Sequence, residues 1–122
     1  MLYTAPARTL AVLETTAHVS SSGFPLNRYL VTIEVPDTAW AKRTIATPDT
    51  LPPAWDAIPH ARPSIAYGSA WYQAATSALL DVPSAILPEE SVIIINCAHP
   101  DVAGKMTATL GRKFHYDSVL HP

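Results

Sequence analysis

Six polar residues of this 122-residue chain interrupt segments that are otherwise apolar: Tyr3, Glu14, His18, Ser84, Asn96 and His99. Burying a carboxylate or an amide without a partner costs about 1 to 3 kcal/mol or more, so each needs a local reason for its place. Glu14 and His18 are four residues apart and therefore share a helix face, in column with Leu10 and beside Leu13 and Ala17. Taken singly, every one of the six also has a plainer use. Glu14 and His18 can form a surface pair worth about 0.3 kcal/mol. Ser84 can bond a strand end, Asn96 can cap the turn in "NCAHP", and His99 can brace it. Tyr3 can be core with its hydroxyl at the surface.

Familiar catalytic and cofactor motifs are missing from the sequence: it has no G-x-G-x-x-G, no P-loop, no H-E-x-x-H and no G-x-S-x-G. The five histidines, at 18, 60, 99, 115 and 121, have no paired ligand spacing, and a single cysteine makes a structural zinc improbable. A Ser84, His99, Asp101 triad can be written down, but Ser84 stands between Pro83 and Ala85 without a nucleophile turn. Cys97, following the apolar stretch from Val92 to Ile95, reads as a small buried filler.

These residues are carried by one domain, 1–122, of ordinary size. With 48% hydrophobic and 15% charged residues it has the composition of a folded globule. The net charge of −2 and the scatter of its eight Lys and Arg disfavour nucleic-acid binding. No apolar run approaches the roughly 20 residues of a membrane span, and the N-terminus lacks a signal-peptide layout. The lone Cys97 fits a reducing compartment, and the expected location is cytoplasmic.

The element pattern predicts a strand at Leu2 and Tyr3, an N-cap at Thr4, and a helix from Pro6 to about Val19 that stops in the loop "SSSGFP". "RYLVTIEV" alternates as a strand, Tyr29, Val31, Ile33 and Val35 facing one way. The proline-rich stretch 36–63 reads as an irregular surface segment pinned by Trp40 and Trp55. A helical period returns in "SIAYGSAWYQAATSALL", with Trp71, Ala74, Ala75 and Leu79 inward and Gly68 opening the helix or allowing close packing. Asp81 to Pro83 end it. "VPSAILP" and "SVIIIN" then read as strands, "HPDVAGKM" as a turn, and "RKFHYDSV" as a last strand with Phe114 and Tyr116 opposite Lys113 and His115. The fold class is α+β, a mixed or antiparallel sheet with few helices.

As an ordered set, these segments resemble the RES domain. "LYTAPARTLAVLETTAHV" is similar to the family's strand and helix, with a Tyr, a Ser/Thr-rich helix start and a Leu-Glu followed four residues later by His. "LVTIEVPD", the Leu-Pro-Pro-x-Trp at 51–55, Gly68 with Trp71, "LLDVPSAILPEE", "INCAHPD" and "FHYD" resemble the later blocks in the same order, from Leu2 to Asp117. The resemblance implies a fold related to ADP-ribosyltransferases and a toxin of a bacterial toxin–antitoxin pair. Such a toxin acts on NAD, by degrading it or transferring its ADP-ribose, needs no metal, and is neutralised by an Xre-type antitoxin.

Carried over by position, the resemblance makes Glu14 the catalytic residue and places Tyr3, His18, Ser84 and Asn96 in the NAD site. Cleaving the nicotinamide–ribose bond builds oxocarbenium-like charge that a fixed carboxylate would stabilise. The acceptor is left open among water, phosphate and a protein side chain. Family members also carry, before the Tyr, a segment with an Arg expected to hold the NAD phosphates, and the sequence has no counterpart ahead of Met1. Arg8 does not match it and reads as a solvated helix residue. The alternative expectation is therefore a catalytically degenerate RES domain that acts as a binding module, holding an antitoxin or assembling with itself.

Overall fold

The computed structural model describes residues 1–18, 27–53, 55–56 and 62–115, with backbone alone at 15–18, 27–28, 62–65 and 114–115. Its elements in chain order are β1 (Leu2–Thr4), α1 (Arg8–His18), β2 (Asn27–Glu34), α2 (Asp37–Ala41), β3 (Thr44–Ile45), α3 (Arg62–Ala74), β4 (Leu79–Pro83), β5 (Ser91–Ile95) and β6 (Thr107–His115). Four strands form a sheet in the order β1-β5-β4-β3, and β2 pairs with β6 in a second sheet. The first sheet is mixed: β3 runs parallel to β4 and the other pairs are antiparallel. The α+β expectation is met.

β5 lies inside the sheet because "VIII" offers β-branched side chains on both faces, and Val92, Ile93, Ile94 and Ile95 are all buried. Residues directly opposite in an antiparallel ladder share a face, so the registers divide the sheet cleanly. Tyr3, Ile94 and Leu80 form one row, and Leu2, Ile95 and Leu79 form the next row on the other face. On the first face Leu80 and Ile94 pack with Ala46 and Trp71, joined by Tyr67 and Tyr72 of α3. On the second, Leu79, Ile93 and Ile95 pack with Ala39 of α2 and Val102, joined by Ile33 and Val35. Helix α3 thus covers one side of the sheet, and α2 with the end of β2 covers the other.

Several local expectations are corrected. Helix α1 starts at Arg8, after Pro6, and Thr4 is not its cap: the Thr4 hydroxyl donates to the carbonyl of Ile93 at 2.7 Å across the β1–β5 ladder. The stretch 36–63 contains α2 and β3, because Asp37 to Ala41 is free of proline and Thr44 and Ile45 can pair with Leu80 and Asp81. Helix α3 ends at Ala74, where Ala75 takes a left-handed φ of 52°. Leu79 is inward, fully buried, but on strand β4, and Ala74 and Ala75 are exposed. The "VPSAILP" strand stops at Pro83, and 84–90 turns back to β5. Gly68 neither opens α3 nor permits close packing, since nothing lies within 4 Å of a Cβ placed there.

Cys97 is exposed, in the turn after β5, and is not a core filler. Ile33 of β2 and Val35 just beyond it do pack on the core, but Tyr29 and Val31 are exposed, and the ladder with β6 is irregular between them. Trp40 is half-exposed with the Arg43 guanidinium 4.1 Å from its ring centroid, and Arg43 Nε donates to Asp81 at 3.1 Å, which ties α2 to β4. The loop "SSSGFP" and Tyr116 lie outside the described residues.

Candidate active site

Helix α1 brings Glu14 to the end of the β4–β5 hairpin, where it meets Ser84. The Ser84 hydroxyl donates to Glu14 Oε1 at 2.5 Å. Ser84 Oγ in turn accepts from the backbone N–H groups of Ile86 and Leu87, both at 3.1 Å. A serine hydroxyl has one proton and two acceptor sites, and here all three are used. Ser84 is completely buried, and its own N–H donates to Glu90 at 2.8 Å, so the turn that follows β4 is built around this side chain. The arrangement fixes one oxygen of the carboxylate through a charge-assisted hydrogen bond.

Glu14 forms part of the wall of a cavity of about 170 Å³. Tyr3 of β1, Trp55, Tyr67 of α3 and the side chains of Leu80, Val82, Val92 and Ile94 line the rest. This is the α3 side of the sheet, and the row that carries Ile94 and Leu80 points Tyr3 there too. Tyr3 is 61% exposed, on a strand that is at the edge of this sheet among the described residues. A wider cleft of about 850 Å³ runs between β1, the start of α1 and β2. Tyr3 belongs to both spaces, and Arg8 lines the wider one, exposed as expected of a solvated helix residue.

The sequence-predicted site residues divide into two groups. Tyr3, Glu14 and Ser84 come together at the cavity, Ser84 through its bond to Glu14 and through its neighbours Pro83 and Ala85 in the wall. His18 follows Glu14 by one turn on α1, and its side chain lies outside the described residues. Asn96 lies at the end of β5, 5% exposed, where its Oδ1 accepts from the N–H of Ala98 at 3.1 Å. It braces the turn and is not in the cavity wall.

His99 is likewise a brace. Its Nδ1 accepts from the Asp101 N–H at 3.0 Å, which leaves Nε2 to donate to the Ala75 carbonyl at 3.0 Å. One ring nitrogen is engaged within the turn and the other at the end of α3, and Ser84 is bonded to Glu14, so no Ser84–His99 relay exists among the described residues. Among those residues no three His, Cys, Asp or Glu side chains gather to hold a metal ion, and no helix is long and apolar enough to cross a membrane. Tyr67 and the aliphatic wall were missed in the sequence. Tyr67 reads there as one more apolar residue of α3, and only the sheet registers reveal that Leu80, Val82, Val92 and Ile94 share its face.

The chain matches the model of the RES domain over residues 1–117. It is 53% identical over 117 residues to a protein of Sphingobium sp. (strain YBL2) called "Prs ADP-ribosylating toxin", a match that covers 96% of this chain and 72% of that protein. It is 35% identical over 119 residues to "Toxin Res" of Photorhabdus laumondii subsp. laumondii, covering 98% of this chain and 74% of the relative. A "Toxin Res" of Yersinia enterocolitica is 26% identical over 119 residues, 98% of this chain and 76% of its own. A family model that spans 1–117 and relatives matched over nearly the whole chain place it plainly: the chain belongs to the RES domain family.

Proposed function

We propose that this chain is a toxin that cleaves the nicotinamide–ribose bond of NAD, with Glu14 stabilising the positive charge that develops on the ribose. The observation that carries the reading is the Glu14 carboxylate in the cavity wall, held by a fully engaged Ser84. A carboxylate already oriented by a buried hydroxyl needs no reorganisation as charge builds, and apolar walls keep the local dielectric low. Nicotinamide leaves neutral, so no general acid is required. In this reading Ser84 is a positioning residue that acts through Glu14, and Tyr3 is the contact residue at the mouth.

The cavity's volume of about 170 Å³ is below the roughly 300 to 1,000 Å³ of sites that enclose a whole drug-sized ligand. It takes the nicotinamide end alone, and the diphosphate and adenosine extend outward past Tyr3. The Sphingobium relative's name favours a protein side chain as acceptor over water or phosphate. The family resemblance adds an Xre-type antitoxin as the neutralising partner, and the lone Cys97 favours the cytoplasm as the place of action. The family resemblance also assigns His18 and Asn96 to NAD binding, with Asn96 outside the wall of this cavity. An intact Glu14–Ser84 pair beside an open cavity favours chemistry over a purely binding module.

The test is release of nicotinamide from NAD by the purified chain, with and without a bacterial extract that supplies protein acceptors, followed by NMR, with Glu14→Gln as the comparison. Gln keeps an acceptor for the Ser84 hydroxyl and the side-chain volume while removing the charge. Expected is a loss of about 10²- to 10³-fold in rate with an unchanged melting transition. Equal rates in the two proteins would refute the role of Glu14, and no turnover by either would refute the activity of this chain by itself.

A further inference from the structure

A separate cavity of about 330 Å³ opens between α1, α2 and the β4–β5 ladder. Asp81 and Ile93 stand directly opposite one another in that ladder and share the face of Leu79 and Ile95, not the α3 face that carries the Glu14 cavity. Leu10 and Ile93 give this second space an apolar wall, Trp40 gives it an indole, and Asp81 and Glu90 give it two carboxylates. Among the described residues no Lys, Arg or His lines it.

The same wall already holds one guanidinium from behind. Arg43 Nε donates to Asp81 Oδ2 at 3.1 Å, and the guanidinium carbon lies 4.1 Å from the centre of the Trp40 ring. An ionised carboxylate offers about four lone-pair sites on its two oxygens, and Arg43 takes one of those on an Asp81 side chain that is only 14% exposed. Among the described residues the Glu90 carboxylate receives no side-chain donor. Two carboxylates thus stand against one guanidinium, and a further cation balances the charge. An indole, an apolar wall and carboxylates together recognise a planar cation on an aliphatic stem. We infer that this cavity receives the arginine side chain of a protein partner, with its guanidinium between Glu90 and the open lone pairs of Asp81 and its methylenes along Leu10 and Ile93.

The volume takes one long side chain and not a folded segment of a partner. Glu90 is exposed and Trp40 is 39% exposed, so the side chain enters from the surface. A free arginine would bring its own carboxylate up against Glu90, whereas an arginine inside a polypeptide carries none, which favours the protein source. The ammonium of lysine is a point charge that cannot both stack on an indole and fork between two carboxylates. None of the described residues of this cavity lines the Glu14 cavity, so the inference stands apart from the NAD reading.

The experiment titrates the purified chain with Nα-acetyl-arginine amide and follows the indole N–H resonances by NMR. Nα-acetyl-citrulline amide, which has the same outline without the charge, Nα-acetyl-lysine amide and free arginine are the comparison ligands. Trp40→Leu and Glu90→Gln are titrated alongside with melting curves, and the exposed Glu90 site keeps the test usable where Trp40→Leu loosens the fold. Glu14→Gln controls for binding in the other cavity. Expected is a shift of the Trp40 resonance, with the arginine amide at least about tenfold tighter than the citrulline amide and at least about threefold tighter than the lysine amide or free arginine. Its affinity should fall about threefold or more in Trp40→Leu and in Glu90→Gln, and stay unchanged in Glu14→Gln. Equal affinities for the arginine and citrulline amides would overturn the inference, as would no binding at all. An affinity that neither Trp40→Leu nor Glu90→Gln alters, or that Glu14→Gln abolishes, would do the same. Lysine amide bound as tightly would overturn the guanidinium preference, and free arginine bound as tightly would overturn the protein source. Nicotinamide release is not among the readouts, so failure here leaves the NAD reading untouched.

Discussion

Ser84 Oγ lies 2.5 Å from Glu14 Oε1, across 70 positions of sequence, and the same oxygen receives the N–H groups of Ile86 and Leu87. A strand-end turn and a helix carboxylate are thereby locked to one another through a single buried atom. The pair links the fold to the chemistry, because the hydroxyl that closes the β4–β5 connection also sets the direction of the charge at the cavity.

Ser84→Ala removes that proton and leaves the N–H groups of Ile86 and Leu87 without their acceptor. The expected cost is about 1 to 3 kcal/mol of stability and a fall of about 10- to 100-fold in the rate of NAD cleavage. Placing the same substitution on a Glu14→Gln background separates the two effects. The loss of stability should persist, whereas the rate should fall no further, since the group being positioned no longer carries charge. Additive rate losses in that cycle would show that Ser84 acts on substrate directly.

The pattern of the chain made the order and class of most elements legible, and the reasons for the failures are physical. Periodicity found α1, β2, β5 and the start of α3, because each has a long or strongly apolar run. It extended α3 through Leu79 because "QAATSALL" keeps a helical period, whereas the chain actually turns at Ala75 and lets Leu79 and Leu80 join the sheet. Elements of two and five residues, β3 and α2, are too short to carry a period and exist through pairing with β4 and packing of Ala39. Glu14 and Ser84 were legible as family positions, but their hydrogen bond is a tertiary fact. Asn96 and His99 show the reverse: the plain readings, a turn cap and a turn brace, describe where they lie.

Ser77 provides a structural counterpart to Ser84 away from the chemistry. It is 2% exposed, and its hydroxyl oxygen accepts from Trp71 Nε1 at 3.0 Å and from the Thr44 hydroxyl at 2.6 Å while donating to the Leu79 carbonyl at 3.0 Å. Ser77→Ala leaves a buried indole N–H and a threonine hydroxyl unpaired. It should lower the unfolding free energy by about 1 to 3 kcal/mol, measured by chemical denaturation, with nicotinamide release per folded molecule unchanged. A comparable loss of activity would mean that the Trp71 side of the core helps to shape the cavity floor.

Ala75 holds a φ of 52° at the residue where α3 stops, a left-handed conformation that a Cβ disfavours. Its N–H donates to the Trp71 carbonyl at 3.2 Å, and its own carbonyl receives His99 Nε2, so the surrounding bonds keep the backbone in that state. Glycine adopts the same conformation without the steric cost and needs no side-chain contact at an exposed position. Ala75→Gly should therefore raise stability by about 0.5 to 1 kcal/mol, despite the extra chain entropy of glycine in the unfolded state. Thermal melting is the check. A drop in the transition temperature would mean that unfolded-state entropy outweighs the relief, and that the His99 bond alone is sufficient to hold the left-handed turn.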